Sequence, residues 1–176
     1  FRVRSGRQKV AEAAADDLAY TARLRYSGVP GLDLGISYHY QSDASQVSGD
    51  GLDDGQLLVA NAIYNTGAFT LKGLYANWNF SGIAVEAAGA DRQTGWYIEP
   101  SYRFTTDRGD WGIYGRHQDV DAARSQDQFS QNEFGLNYWP TDNVVLKIDF
   151  RQREHDLASE AGRDFDAFDL GVGYQF

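Results

Sequence analysis

The sequence predicts an all-β chain that crosses a bilayer as a transmembrane antiparallel up-and-down β-barrel of about nine strands. Three observations predict it. Apolar and polar side chains alternate along successive segments, and short turns take turns with long polar loops between them. On several segments the apolar face carries rings at its ends and aliphatic residues between them. Successive strand residues point to opposite faces, so each alternation gives one greasy face and one wet face. A soluble sandwich also alternates, but it has no reason to place rings at both ends of its apolar face.

Taken in order, residues 1–15 end in a run of helix formers, Gln8 to Ala15, and read as a loop with one helical turn. The first strand, about 16–27, sets Leu18, Tyr20, Ala22, Leu24 and Tyr26 on one face. Val29-Pro30-Gly31 turns the chain. The second strand returns through Leu32, Leu34, Ile36, Tyr38 and Tyr40, and a polar loop, 42–55, follows. Strands near 56–65 and 68–80 flank a turn at Asn65-Thr66-Gly67, before a longer segment, 81–94. In 68–80 the phase is open, because Leu71 with Tyr75 competes with Leu74 and Trp78.

Strands near 95–105 and 110–118 flank Thr106 to Gly109, and the loop 119–129 is rich in Asp, Gln and Ser. The fifth strand presents Trp96, Ile98, Pro100, Tyr102 and Phe104, although Pro100 removes a ladder donor in mid-strand. Strands near 131–139 and 143–153 flank Pro140 to Asn143, the latter presenting Val144, Leu146, Ile148 and Phe150. After the loop 154–165 the last strand alternates cleanly, with Phe168, Leu170, Val172, Tyr174 and Phe176 against small or polar neighbours. A tilted bilayer path takes about 9–11 strand residues, which this segment supplies.

Composition agrees. The chain of 176 residues has a formal charge of −9 and a mean hydropathy of −0.52. No stretch holds the roughly 18 apolar residues of a spanning helix, yet barrels read as polar because only alternate residues meet lipid. With no cysteine there is no disulfide framework or cysteine zinc site. Methionine is also absent and no secretory signal stands at the start, so the chain reads as a processed product or a fragment. The strand count favours a fragment, since strand edges cannot stay open in hydrocarbon and single-chain bacterial barrels have even counts. The expectation is one domain, 1–176, lacking earlier strands, with 1–15 an extracellular loop.

Two stretches carry a resemblance. Gly95 to Phe104, preceded by Ala87 to Thr94, and Asn137 to Lys147 resemble strands of the phosphate-selective porin O/P family; Leu74 to Trp78 fits less sharply. The terminal Tyr174-Gln-Phe176 resembles the final strand of bacterial outer-membrane barrels, whose last aromatic the barrel-assembly machinery reads. The resemblance covers the chain from about residue 16 onward. It implies the carboxy-terminal part of a sixteen-stranded, homotrimeric channel for small anions in the bacterial outer membrane, among lipid and lipopolysaccharide. It supports a porin better than it supports phosphate as the solute.

The wet faces carry their own signal. Arg23, Arg25, Arg103, Arg116, Lys147, Arg151 and Arg153 share the inward phase, with Lys72 a further candidate. The inward acids are Asp33, Glu99, Glu133, Asp149 and Asp169. Rings of Arg and Lys favour anions, and the Arg fork matches phosphate or carboxylate. For any single arginine, pairing with a neighbouring acid such as Glu99 with Arg103 is the stronger expectation; the collective excess is the better signal. Arg151 to Asp156 reads first as a solvated rim and second as an electropositive mouth that gathers anions.

Other classes fare worse. His155 and Asp156 face opposite ways and no nucleophile motif accompanies them, so no catalytic residue is assigned and a rim hydrolase is a minor alternative. His39 and His117 read as interface residues, and nothing places them on one metal. Asp50 to Gly55 lacks calcium-loop spacing. No cofactor is expected, and an acidic chain without a basic aromatic patch gives no nucleic-acid case. An adhesin or structural anchor without an open pore is the alternative to a channel.

Overall fold

The computed structural model describes residues 17–45 and 51–175. Nine strands form one antiparallel sheet whose spatial order equals the chain order: β1 (Ala19–Tyr26), β2 (Leu32–Gln41), β3 (Gly55–Thr66), β4 (Phe69–Phe80), β5 (Arg92–Thr106), β6 (Gly109–Asp121), β7 (Phe129–Thr141), β8 (Val144–His155) and β9 (Phe165–Tyr174). The up-and-down fold expected from the alternation is therefore present, and among the described residues β1 and β9 are its two edges. Strands β5 and β6 each run three residues further at the long-loop end than the alternation indicates, through 92–94 and 119–121. There the backbone ladder continues into stretches that are mostly polar. Residues 1–15 and Phe176 lie outside the described residues, so neither the expected first loop nor the terminal aromatic is placed.

Register shows which side chains share a face. Tyr20, Leu24 and Tyr26 stand opposite Tyr40, Ile36 and Leu34, and the row continues to Ala60 and Ala62 of β3. The row through β3 sets Leu71 and Tyr75 on the apolar face and Lys72, Leu74 and Trp78 on the other, which closes the open phase of β4. Trp96, Ile98 and Tyr102 then face the apolar side, as do Ile113, Phe134, Leu136, Ile148, Phe150, Phe168 and Leu170. At Pro100 the β5–β6 ladder breaks: pairing lapses between Ile98 with His117 and Ser101 with Tyr114. The missing N–H cannot bond, and the strand keeps its register on either side.

Burial is inverted relative to a soluble protein. Glu99 is 5% exposed and Gln131 4%, whereas Leu24 is 69% and Leu170 74% exposed. Among the described residues the buried apolar side chains are Val85, within the short helix α1 (Ile83–Ala87) in the segment after β4, and Ala90 just after it. Such a sheet has its hydrophobic surface outside, where only hydrocarbon or another apolar body can cover it.

Turns at one end are tight. Gly31 adopts φ 80°, and a Cβ there would lie 2.1 Å from the carbonyl oxygen of Asn65, so only glycine fits between the first two short turns. At the other end, residues 51–54 are stapled to 81–84 by Asp53 N–H to Ser81 O (2.8 Å), Ser81 N–H to Asp54 O (3.0 Å) and Ala84 N–H to Gly51 O (3.0 Å). Ser81 Oγ also bonds the Asp54 carboxylate, and with Gln56 it holds that carboxyl below its ordinary range. Asp54 is thus tied within the protein.

Candidate functional site: the charged face of the sheet

All seven basic residues singled out from sequence fall on the polar face, joined by Lys72. The five expected acids are there too, with Asp110, the second residue of β6, a sixth that sequence reading missed. Odd and even counting from Trp111 would have found it.

Most of these charges are matched across strands. Arg25 lies against Asp33, its Nε 2.9 Å from Oδ1. Glu99 receives Lys72 Nζ on Oε1 at 2.8 Å and Arg116 Nε on Oε2 at 2.8 Å, so β5 is clasped from β4 and β6. Arg103 does not pair with Glu99, as its spacing had allowed, but with Asp110 through Nη2 at 2.8 Å. Its guanidinium also lies 4.4 Å from the Trp139 ring centroid. Arg151 bonds Asp169 through Nε at 2.8 Å and Nη2 at 2.5 Å. Lys72 and Arg116 stand opposite Glu99, where Cβ atoms are about 4.5–5.5 Å apart, while Arg25, Arg103 and Arg151 reach acids on the diagonal, within range of a long side chain.

Tyr114 ties three strands together. Its hydroxyl lies 2.7 Å from Glu133 Oε1 and 2.6 Å from Asp149 Oδ1. Tyr114, Gly135 and Asp149 form one row across β6, β7 and β8, and the tyrosine ring passes over the glycine. A Cβ at Gly135 would lie 1.9 Å from the ring, so glycine makes the bridge possible.

Three of the cations are not neutralised this way. Arg23 and Lys147 form no ion pair, and Arg153 bonds Gln131 rather than a carboxylate, among the described residues. Lys147 borders a basin of about 420 Å³ whose rim also includes Lys72, Arg103, Arg116, Glu99 and Asp149. Such a basin can hold a small hydrated anion but has no nucleophile–base pair directed at a bound group. No cluster of three metal-ligating side chains occurs among the described residues.

At the long-loop end, His155 pairs with Asp164 and not with its neighbour Asp156. Its backbone N–H (2.8 Å) and Nδ1 (3.0 Å) both reach Asp164 Oδ1. The backbone bond first, then the ring, holds the Asp164 carboxyl below its ordinary range. Asp156 is pushed up, first by burial and then by Asp119 and Asp121. His39 and His117 sit on different faces, His39 edge-on to Trp78 and His117 tilted against Trp96.

No family model and no curated protein sequence matches this chain. Among solved structures, a porin refined at 1.8 Å resolution superposes on it with a TM-score of 0.57 and 18% identity, over 96% of this chain and 54% of that one. At that identity the likeness speaks for the fold and not for the O/P family in particular. The nine strands have the fold of a porin-type β-barrel wall, and the chain spans about half the length of the porin it matches.

Proposed function

We propose that the chain is part of an outer-membrane porin that admits small anions passively, without catalysis. The observation that supports it most is the inverted burial: an exposed apolar face on one side and a face of bases and acids on the other. On that second face Arg23, Arg25, Lys72, Arg103, Arg116, Lys147, Arg151 and Arg153 outnumber Asp33, Glu99, Asp110, Glu133, Asp149 and Asp169. A wall with surplus positive charge lowers the electrostatic barrier for anions, and its paired carboxylates keep the arginines in place. The open edges of β1 and β9 must be satisfied in hydrocarbon, so we place the nine strands in a larger barrel, sixteen-stranded and trimeric as the family resemblance implies. Phosphate is one candidate solute among small anions. Planar-bilayer recording of the intact protein under a salt gradient tests this: a reversal potential of anion-selective sign is expected, and cation selectivity would refute the anion reading.

A second reading is an adhesin or anchor with a filled lumen. It is favoured by the apolar patch that Leu57, Val59, Leu74 and Trp78 leave on the polar side of β3 and β4. Absence of any conductance in the same recording would select it.

A further inference from the structure

We propose that Arg153 is a preorganised oxyanion-binding fork at the long-loop mouth of the wall, for a carboxylate or phosphate group; this deepens the anion-channel reading and rests on it. A guanidinium carries five N–H donors in one plane. In Arg153 only one is used, Nε to Gln131 Oε1 at 2.9 Å. The two Nη groups make no bond among the described residues. The plane is held by two rings, Phe129 with its centroid 3.8 Å from Cζ and Phe165 at 5.1 Å. Its anchor, Gln131, is 4% exposed, so the guanidinium is not a swinging rim charge.

Four other arginines of the wall differ in one respect, while Arg23, on the edge strand β1, shares the lack of an ion pair but not the aromatic walls among the described residues. Arg25, Arg103, Arg116 and Arg151 each present their fork to a carboxylate of the protein. Arg151, next to Arg153 on the same face, is filled by Asp169. Those four bind through Nε and Nη2, whereas Arg153 has its Nε on Gln131 and offers its two Nη groups, the end of the guanidinium, unfilled and in fixed orientation. Two parallel N–H groups donate best to two oxygens of one group, which selects carboxylate and phosphate over chloride. The rim of Arg151 to Asp156, read from sequence as solvated, has at its centre a half-buried cation with aromatic walls.

The test is phosphorus NMR line broadening of inorganic phosphate by the intact protein in micelles, with acetate as competitor, alongside bilayer currents. The wild type broadens the phosphate line saturably and acetate reverses it. Arg153→Lys keeps the charge but loses the fork, and weakens phosphate on the order of tenfold. Phe129→Leu, which loosens the plane, weakens it less. Arg108→Gln, an equal or larger charge change in a short turn, leaves binding unchanged. Wild-type affinity in Arg153→Lys, or equal loss in Arg108→Gln, overturns the fork. Arg153-dependent binding without any current refutes the channel reading and leaves the fork standing. Anion-selective current without that binding refutes the fork alone.

Discussion

The polar side of β5–β9 and the polar side of β3–β4 belong to one continuous surface, yet they are built differently. Across β5–β9, charges face each other from strand to strand, as in Arg116 with Glu99 and Arg151 with Asp169, and Tyr114 bridges two acids. Across β3 and β4 the same side shows Leu57, Val59, Ile63, Leu74 and Trp78, and its one charged residue is Lys72. The opposite side of these two strands is apolar as well, with Leu58, Ala60, Tyr64, Leu71 and Tyr75. One region of the wall is thus two-faced and the other greasy on both faces. The difference teaches that face assignment in β3 and β4 rests on register with neighbours rather than on their own pattern.

The sharpest way to break this comparison is a pair of substitutions at one depth. Ala60 and Val59 adjoin at the middle of β3 and point to opposite faces. Ala60→Arg is expected to cost about 2–4 kcal/mol in lipid vesicles, the range for a cation at mid-bilayer on the lipid face. Val59→Arg, on the lumen side, is expected to cost about 1 kcal/mol or less. Guanidinium unfolding from vesicles measures both, and equal costs would abolish the facial assignment of β3.

In the charged region, Glu99→Gln strands two cations on a residue that is 5% exposed. Breaking a buried pair costs about 3–5 kcal/mol, but Lys72 and Arg116 are partly solvated, so about 2 kcal/mol is expected in the same unfolding measurement. A smaller effect comes from the tyrosine bridge. Gly135→Ala drives a methyl into the Tyr114 ring and is expected to cost about 1–2 kcal/mol. On a Tyr114→Ala background the cost should largely vanish, since the clash has gone. Additive losses would mean that the glycine serves backbone conformation instead.

The smallest effect concerns the loop end. Asp164 has a depressed carboxyl because His155 donates to it. Its contribution to holding residues 156–164 is present above the ordinary carboxylate range, near pH ~4, and is lost as pH falls through the still lower folded value. Hydrogen exchange in this loop should therefore stay slow at neutral pH and quicken only in strong acid. Asp164→Asn should quicken it at neutral pH, and an unchanged loop would show that the pair does not hold it.

Much of this was legible in the chain. Clean alternation placed β1, β2, β8 and β9 to within a few residues, because one face of each is apolar and the other is small or polar. The seven basic residues share one face of the sheet, as their common phase indicated. Three things were not legible. The phase of β4 needed its neighbours, since both faces are apolar. Ion partners such as Asp110 for Arg103, a diagonal neighbour on the next strand, depend on the register between strands, which no single strand reveals. The environment of Arg153 arises from Phe129 and Phe165 on two other strands, both at strand starts where sequence reading had placed loops.

The central claim is a wall with lipid on one face and water on the other. The chain has no cysteine, so single cysteines can be introduced along β8 from residue 145 to 153, spin-labelled and read in bilayers for accessibility to oxygen and to a water-soluble nickel chelate. The account predicts a period of two, with oxygen favoured at Leu146, Ile148 and Phe150 and the chelate at Lys147, Asp149 and Arg151. Uniform access of the chelate to all positions would contradict it.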